Sequence, residues 1–184
     1  MRALDRLPTF ADHYVFHVVV ESPRGSAVKL KYRADLGAMS ISRPLAMGLV
    51  YPYDWGFVPS THAADGDPVD ATVFWDVASF PAVVIPCRAL GLIKVEQNRA
   101  DGKGRVRNDR ILALPVEARR ERQLKSAMSL ARRVRDELEQ FFLAATVLEG
   151  KDPRILGWAG PAAALDLIRS SSTGRSRREP ARRS

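Results

Sequence analysis

Up to Pro115 the chain reads as a succession of short alternating segments broken by turn residues, and no helical period interrupts them. Residues 13–21 place Tyr14, Phe16, Val18 and Val20 on one face. Residues 28–32 set Val28, Leu30 and Tyr32 opposite Lys29 and Lys31. Ser22-Pro23-Arg24-Gly25-Ser26 between them is a turn, and Met39 to Ser42 is a further short strand. Residues 50–59 are rich in aromatics but carry Pro52 and Gly56, which marks an irregular or edge segment. Strands are expected at 69–75, over a long bent run at 83–94, and at 110–114, with 97–107 an exposed loop. Parallel α/β sheets need a helix between strands, so this pattern points to a small closed β architecture.

Beyond Pro115 the period changes. Leu124, Met128, Ala131, Val134, Leu138, Phe141, Phe142, Ala145 and Leu148 recur at helical spacing, which predicts one long helix over 120–148 stopped by Gly150. A second, short helix is expected at 161–169. From Ser170 the chain is Ser- and Arg-rich without an apolar pattern, as in disordered segments. The expected organisation is an N-terminal arm at 1–12, one domain at 13–169 and a tail at 170–184. The fold class is α+β, mainly β.

Composition narrows the functional classes. With 46% hydrophobic and 27% charged residues the chain suits a globular protein, and no apolar run approaches the roughly 20 residues that span a bilayer. The single cysteine, Cys87, excludes an internal disulfide, and residues 1–6 lack a secretory signal's apolar segment. A reducing, cytoplasmic setting is expected. The net charge of +8 is uneven, because residues 171–184 hold five Arg and one Glu. Much of the basic balance therefore belongs to the tail rather than to the core.

The chemistry concentrates in Asp65-Gly66-Asp67-Pro68-Val69-Asp70, three carboxylates within six residues. Two unit charges about 4 Å apart repel by roughly 4 kcal/mol at an effective dielectric near 20, so such a cluster calls for a counter-charge. Oxygen donors suit a hard divalent cation, Mg²⁺ first and Mn²⁺ second. Asp, Gly and Pro are also ordinary turn residues, and spacing alone does not separate a metal loop from a polar turn. A calcium hand does not fit: Asp70 stands where its Gly belongs, and strand-like runs flank the loop.

These residues sit among others in a recognisable order. Glu21 precedes Pro23 and Lys29; Arg43 precedes Tyr51-Pro52 and Gly56-Phe57; the acidic hexapeptide follows; then come Arg88-Ala89-Leu90-Gly91, Phe141-Phe142, Leu148-Glu149-Gly150-Lys151 and Gly157-Trp158. Over roughly residues 14–168 the chain resembles the soluble family I inorganic pyrophosphatases. The resemblance implies a distorted five-stranded OB-like barrel with the helices packed outside, and Mg²⁺-dependent hydrolysis of pyrophosphate to two phosphates. It implies that Asp65, Asp67 and Asp70 bind metal, that Asp67 also helps deprotonate the attacking water, and that Glu21 holds a further metal. Lys29, Arg43 and Tyr51 then resemble phosphate ligands. Bacterial members imply a homo-oligomer, a hexamer.

The chain departs from that pattern at functional positions. An acidic residue is replaced by Lys31, and a tyrosine by Trp55. Two metal-site aspartates fall near Gln97 and Asn108, with Glu96, Asp101 and Asp109 as nearby substitutes. A lysine becomes Arg110, and a Tyr-Lys pair becomes Ala145-Thr146. Lys31 and Arg110 are cationic and suited to phosphate. Two alternatives stand beside the enzyme: a weakened metal- and phosphate-binding relative, and a nucleic-acid-binding barrel using Tyr51, Tyr53, Trp55 and Phe57. The acidic cluster opposes the second, because it repels phosphates unless cations neutralise it.

Overall fold

The computed structural model describes residues 3–99 and 101–173. β1 (Val15–Ser22) lies between β4 (Asp54–Phe57) and β6 (Val84–Asn98), antiparallel to both. β4 pairs with β5 (Asp70–Val73), β5 runs parallel to β8 (Arg110–Pro115), and β8 returns antiparallel to β6. The order β1-β4-β5-β8-β6, closed by the β1–β6 pairing, is a ring of five strands. This is the arrangement the sequence reading expected as a distorted OB-like barrel. β2 (Val28–Arg33) and β3 (Ala38–Pro44) form a separate hairpin. β7 (Arg105–Arg107) and β9 (Arg154–Ala159) extend the sheet along β6.

β1 is covered on both sides, which explains its run of valines. Phe16, Val18 and Val20 enter the ring core with Val58, Val73, Ile111 and Ala113. Val19 faces the other way, against Tyr32 and Phe57. Tyr14, expected on one face with Phe16, Val18 and Val20, precedes the strand and is exposed. Gly56 is required where β4 crosses β1, because a Cβ there would stand 1.9 Å from the Val19 carbonyl oxygen. β6 bends at a register shift between Ala89 and Gly91, so one strand serves several partners.

Two helices cover the ring. α2 (Pro161–Ser171) starts on a proline, which loses no needed hydrogen bond in a first helical turn, and buries Ala164 and Ile168 in the ring core. α1 (Arg132–Thr146) buries Leu138, Phe141 and Phe142 against Tyr51, Trp55 and Ile93. The long helix expected over 120–148 is thus shorter by a dozen residues at its start. The Ser126 side chain accepts from the Met128 N–H and caps a 3₁₀ turn at Ala127–Ser129, and Ala131 is extended. Here Ala118, Ala127 and Leu130 fill the core, while Met128 of the expected stripe is half exposed.

Other differences are local. The loop expected at 97–107 contains the end of β6 and β7. β9 was not expected; within it Gly157 is left-handed at φ 122° and sits at a register shift against β6. Ser170 and Ser171 belong to α2, and Ser172 bridges Thr61. The rest of the expected tail, 174–184, lies outside the described residues. Among the described residues no helix is long and apolar enough to cross a membrane.

Candidate active site

Ring, hairpin and α1 meet around a cavity of about 300 Å³. Its wall draws Glu21 from β1, Lys29 and Lys31 from β2, Arg43 from β3, Asp70 from β5, Gln97 from β6 and Arg110 from β8. Asp65 and Asp67 enter from the loop before β5, and Tyr51 and Asn108 from loops before β4 and β8. Every site residue expected from the sequence, apart from the substitutes Glu96, Asp101 and Asp109, therefore lines one cavity.

The loop is shaped by its own backbone. The Gly66 N–H bonds the Ala63 carbonyl, Gly66 adopts φ 90°, and the Asp67 N–H donates to Asp65 Oδ1 at 3.3 Å. Val69 anchors the loop's far end by donating to Thr61 Oγ1 at 2.9 Å. The parallel register Ala71↔Ile111 places Asp70 and Arg110 side by side, each at the start of its strand. Arg110 Nη1 donates to the Asp70 carboxylate and to Asn108 Oδ1. Its guanidinium carbon lies 5.3 Å from the Trp55 ring centroid, a cation–π contact. Lys31 Nζ sits 3.1 Å from each Asp67 carboxylate oxygen.

Among the described residues, no three His, Cys, Asp or Glu side chains gather closely enough to hold a metal ion. The three aspartates share a cavity, but Asp67 is turned to Lys31 and Asp70 to Arg110. Even so, the donor chemistry fits a hard divalent cation. All candidate donors are oxygens, and Gln97 Oε1, buried in the wall, has no hydrogen-bond partner among the described residues. Glu96, Asp101 and Asp109, considered as substitutes for the missing aspartates, are absent from the wall and engage Arg105, Arg99 and Arg107.

Electrostatics follow from burial and neighbours. Burial pushes the Glu21 carboxyl up to about 7, aided by the Asp70 charge and opposed by the Tyr32 N–H, Lys29 and Lys31. Partial desolvation and the charges of Asp70 and Asp67 raise Asp65. Burial lowers Lys29 despite Asp70 nearby. Burial also lowers Lys31, but its hydrogen bond to Asp67 and the surrounding carboxylates outweigh this and leave it raised. Burial pushes the Tyr51 phenol up to about 12, so it remains a neutral hydroxyl at ordinary pH.

Three features escaped the sequence reading. Glu149 receives Arg43 Nη2, which also donates to the Ala145 carbonyl at 2.6 Å. Lys151, 3.0 Å from Glu149, lines the cavity. The signal was Gly150, whose left-handed φ of 66° folds the segment after α1 back toward the site. Trp55 is a core aromatic that also carries Arg110 on its face. Tyr51, Trp55 and Phe57 are 4%, 6% and 4% exposed, so they form no open stacking platform for nucleic acid.

The inorganic pyrophosphatase family model matches residues 18–174, and this span contains the cavity residues described above. The chain belongs to the inorganic pyrophosphatase family. An inorganic pyrophosphatase of Synechocystis sp. is 36% identical over 165 residues, covering 90% of this chain and 94% of the relative. One from Thermus thermophilus is 36% identical, covering 85% and 87%. The crystal structure of inorganic pyrophosphatase from Thermus thermophilus superposes with a TM-score of 0.84 at 32% identity, covering 92% of this chain and 97% of that one. The Coxiella burnetii inorganic pyrophosphatase gives 0.80 at 31%, covering 90% and 97%. Within this pyrophosphatase fold, Lys31, Trp55, Gln97, Asn108, Arg110, Ala145 and Thr146 all line the cavity.

Proposed function

We propose that the chain hydrolyses inorganic pyrophosphate to two phosphates with the aid of a divalent cation, Mg²⁺ by donor chemistry. The supporting observation is that the hexapeptide carboxylates and the cations Lys29, Lys31, Arg43 and Arg110 line one cavity in a chain of this family. Asp65, Asp67, Asp70 and Glu21 would hold the cation, and Mn²⁺ satisfies the same oxygen donors. Bound there, it supplies charge screening and a more acidic water.

The chain's own residues do the rest. Water attacks one phosphorus, a P–O bond forms, and the bridging P–O bond breaks to release the second phosphate. A carboxylate oxygen of Asp67, exposed at the cavity mouth, accepts the proton from the attacking water. Lys29, Arg43 and Arg110 bind phosphate oxygens and stabilise charge on the leaving group, and Tyr51 donates its hydroxyl. The cytoplasm and a homo-oligomeric state complete this reading.

Phosphate release from pyrophosphate, measured across Mg²⁺, Mn²⁺ and Zn²⁺ on the full chain, tests it. Metal-dependent release is expected. Release that persists in excess chelator, or none with any ion over a broad pH range, rejects the reading.

A further inference from the structure

Two of the cavity's carboxylates are already matched by cations of the chain itself. Arg110 is 7% exposed and held by Asp70, Asn108 and the Trp55 face, so its charge is fixed in place. Lys31 stands equidistant from both Asp67 oxygens, in the manner of a chelated ion, and its side chain is 43% exposed. Five Lys and Arg side chains and five carboxylates line the cavity, so its formal charge balances. A wall made mainly of acids would repel a multiply charged phosphate anion until metal neutralised it. This wall lacks that barrier, and Gln97 and Asn108 add oxygen donors without charge.

We propose that Lys31 and Arg110 are resident cations of the carboxylate cradle, which let the protein bind pyrophosphate directly, before any divalent ion, and reduce the number or affinity of the ions it takes. The inference rests on the proposed hydrolysis of pyrophosphate and specifies how the same site recognises its substrate. Arg110 is the permanent member, walled in by neighbours. Lys31 is the exchangeable one: a divalent ion competes with it for Asp67, and a phosphate oxygen competes with Asp67 for it. Order of addition follows, with the anion able to enter first and the ion second.

The test uses the full chain after chelator treatment, titrated calorimetrically with imidodiphosphate, a hydrolysis-resistant analogue. Binding without metal is expected, weakened at least about tenfold in Lys31→Gln, since a charge-assisted contact to the anion is lost. Lys31→Glu replaces the exchangeable cation by another oxygen donor. A Mn²⁺ titration of that variant, followed by electron paramagnetic resonance, is expected to show an additional ion or at least about tenfold tighter binding than the unaltered chain. Lys31 is half exposed on a hairpin, and circular dichroism checks that both variants keep the fold. Turnover with Mg²⁺ but no analogue binding in chelator overturns the inference and spares the proposed function. An unchanged Mn²⁺ titration in Lys31→Glu does the same. Absence of turnover and of analogue binding with every ion overturns both.

Discussion

Arg43, on the β2–β3 hairpin, is tied to Glu149, just past α1, by a charged hydrogen bond, while Lys151 approaches the same carboxylate at 3.0 Å. One acid thereby fixes two cations at the cavity wall. Glu149→Gln is expected to raise KM for pyrophosphate several-fold with a smaller change in kcat, because Arg43 loses its anchor while its charge remains. Steady-state kinetics on the variant decides this. An unchanged KM would remove Glu149 from any positioning role.

The same carboxylate gives a pH signature. Burial pushes Glu149 up, but the Lys151 hydrogen bond and the charges of Lys151, Lys29 and Arg43 prevail and hold it below its ordinary 4.5. A depressed acid stabilises the fold fully above its unfolded value and loses that contribution as pH falls through its folded value. The stability gap between the native chain and Glu149→Gln should therefore be constant above about pH 5 and shrink below about pH 4.5. Urea denaturation over a pH series measures it, and a gap that widens in acid would contradict the pairing.

Asp67→Asn separates chemistry from folding. Its partner Lys31 is half exposed, so the pair contributes no more than about 1 kcal/mol to stability. Loss of a group that accepts a proton in the reaction costs about 100-fold or more in kcat. The expected result is a nearly unchanged melting temperature with a large fall in phosphate release. A variant of full activity would remove Asp67 from proton transfer.

Gly56→Ala tests the closest crossing in the ring. The added methyl would meet the Val19 carbonyl and backbone, which cannot swing aside as a side-chain tip can. A loss of about 3 kcal/mol is expected from forced separation of β4 and β1. Chemical denaturation reads this directly, and a loss under about 1 kcal/mol would mean the strands part easily.

Cys87 is fully buried in the ring core, and burial pushes its thiol far above the ordinary range. A thiol-reactive reagent at pH 8 should therefore label the native chain only at the rate of unfolding. Fast labelling without denaturant would show that the β1–β6 seam opens.

The strand-rich first part was legible because period-two alternation survives where one face is buried, as at Phe16 and Val18 on β1, buried between less buried Val15 and His17. The cavity roster was legible because the hexapeptide and its ordered flanks are local patterns. What a linear reading could not give was partnership. Nothing in the spacing of Asp70 and Arg110 reveals the parallel pairing that joins them, since register is a property of the assembled sheet. The start of α1 was missed for a related reason: Leu124, Met128 and Ala131 keep helical spacing in the sequence, but Met128 is half exposed and the segment is a 3₁₀ turn, so the spacing there marks no buried face. β9 is invisible locally because its pairing with β6 tolerates Gly157 at an irregular point in the ladder.

The anchoring of Arg43 by Glu149 also sets a schedule for synthesis. Acids of the hexapeptide leave the ribosome about eighty residues before Glu149 and Lys151 do. A nascent chain can close no complete pocket until that late segment arrives, so phosphate-releasing capacity should switch on only once Lys151 has emerged rather than grow with length.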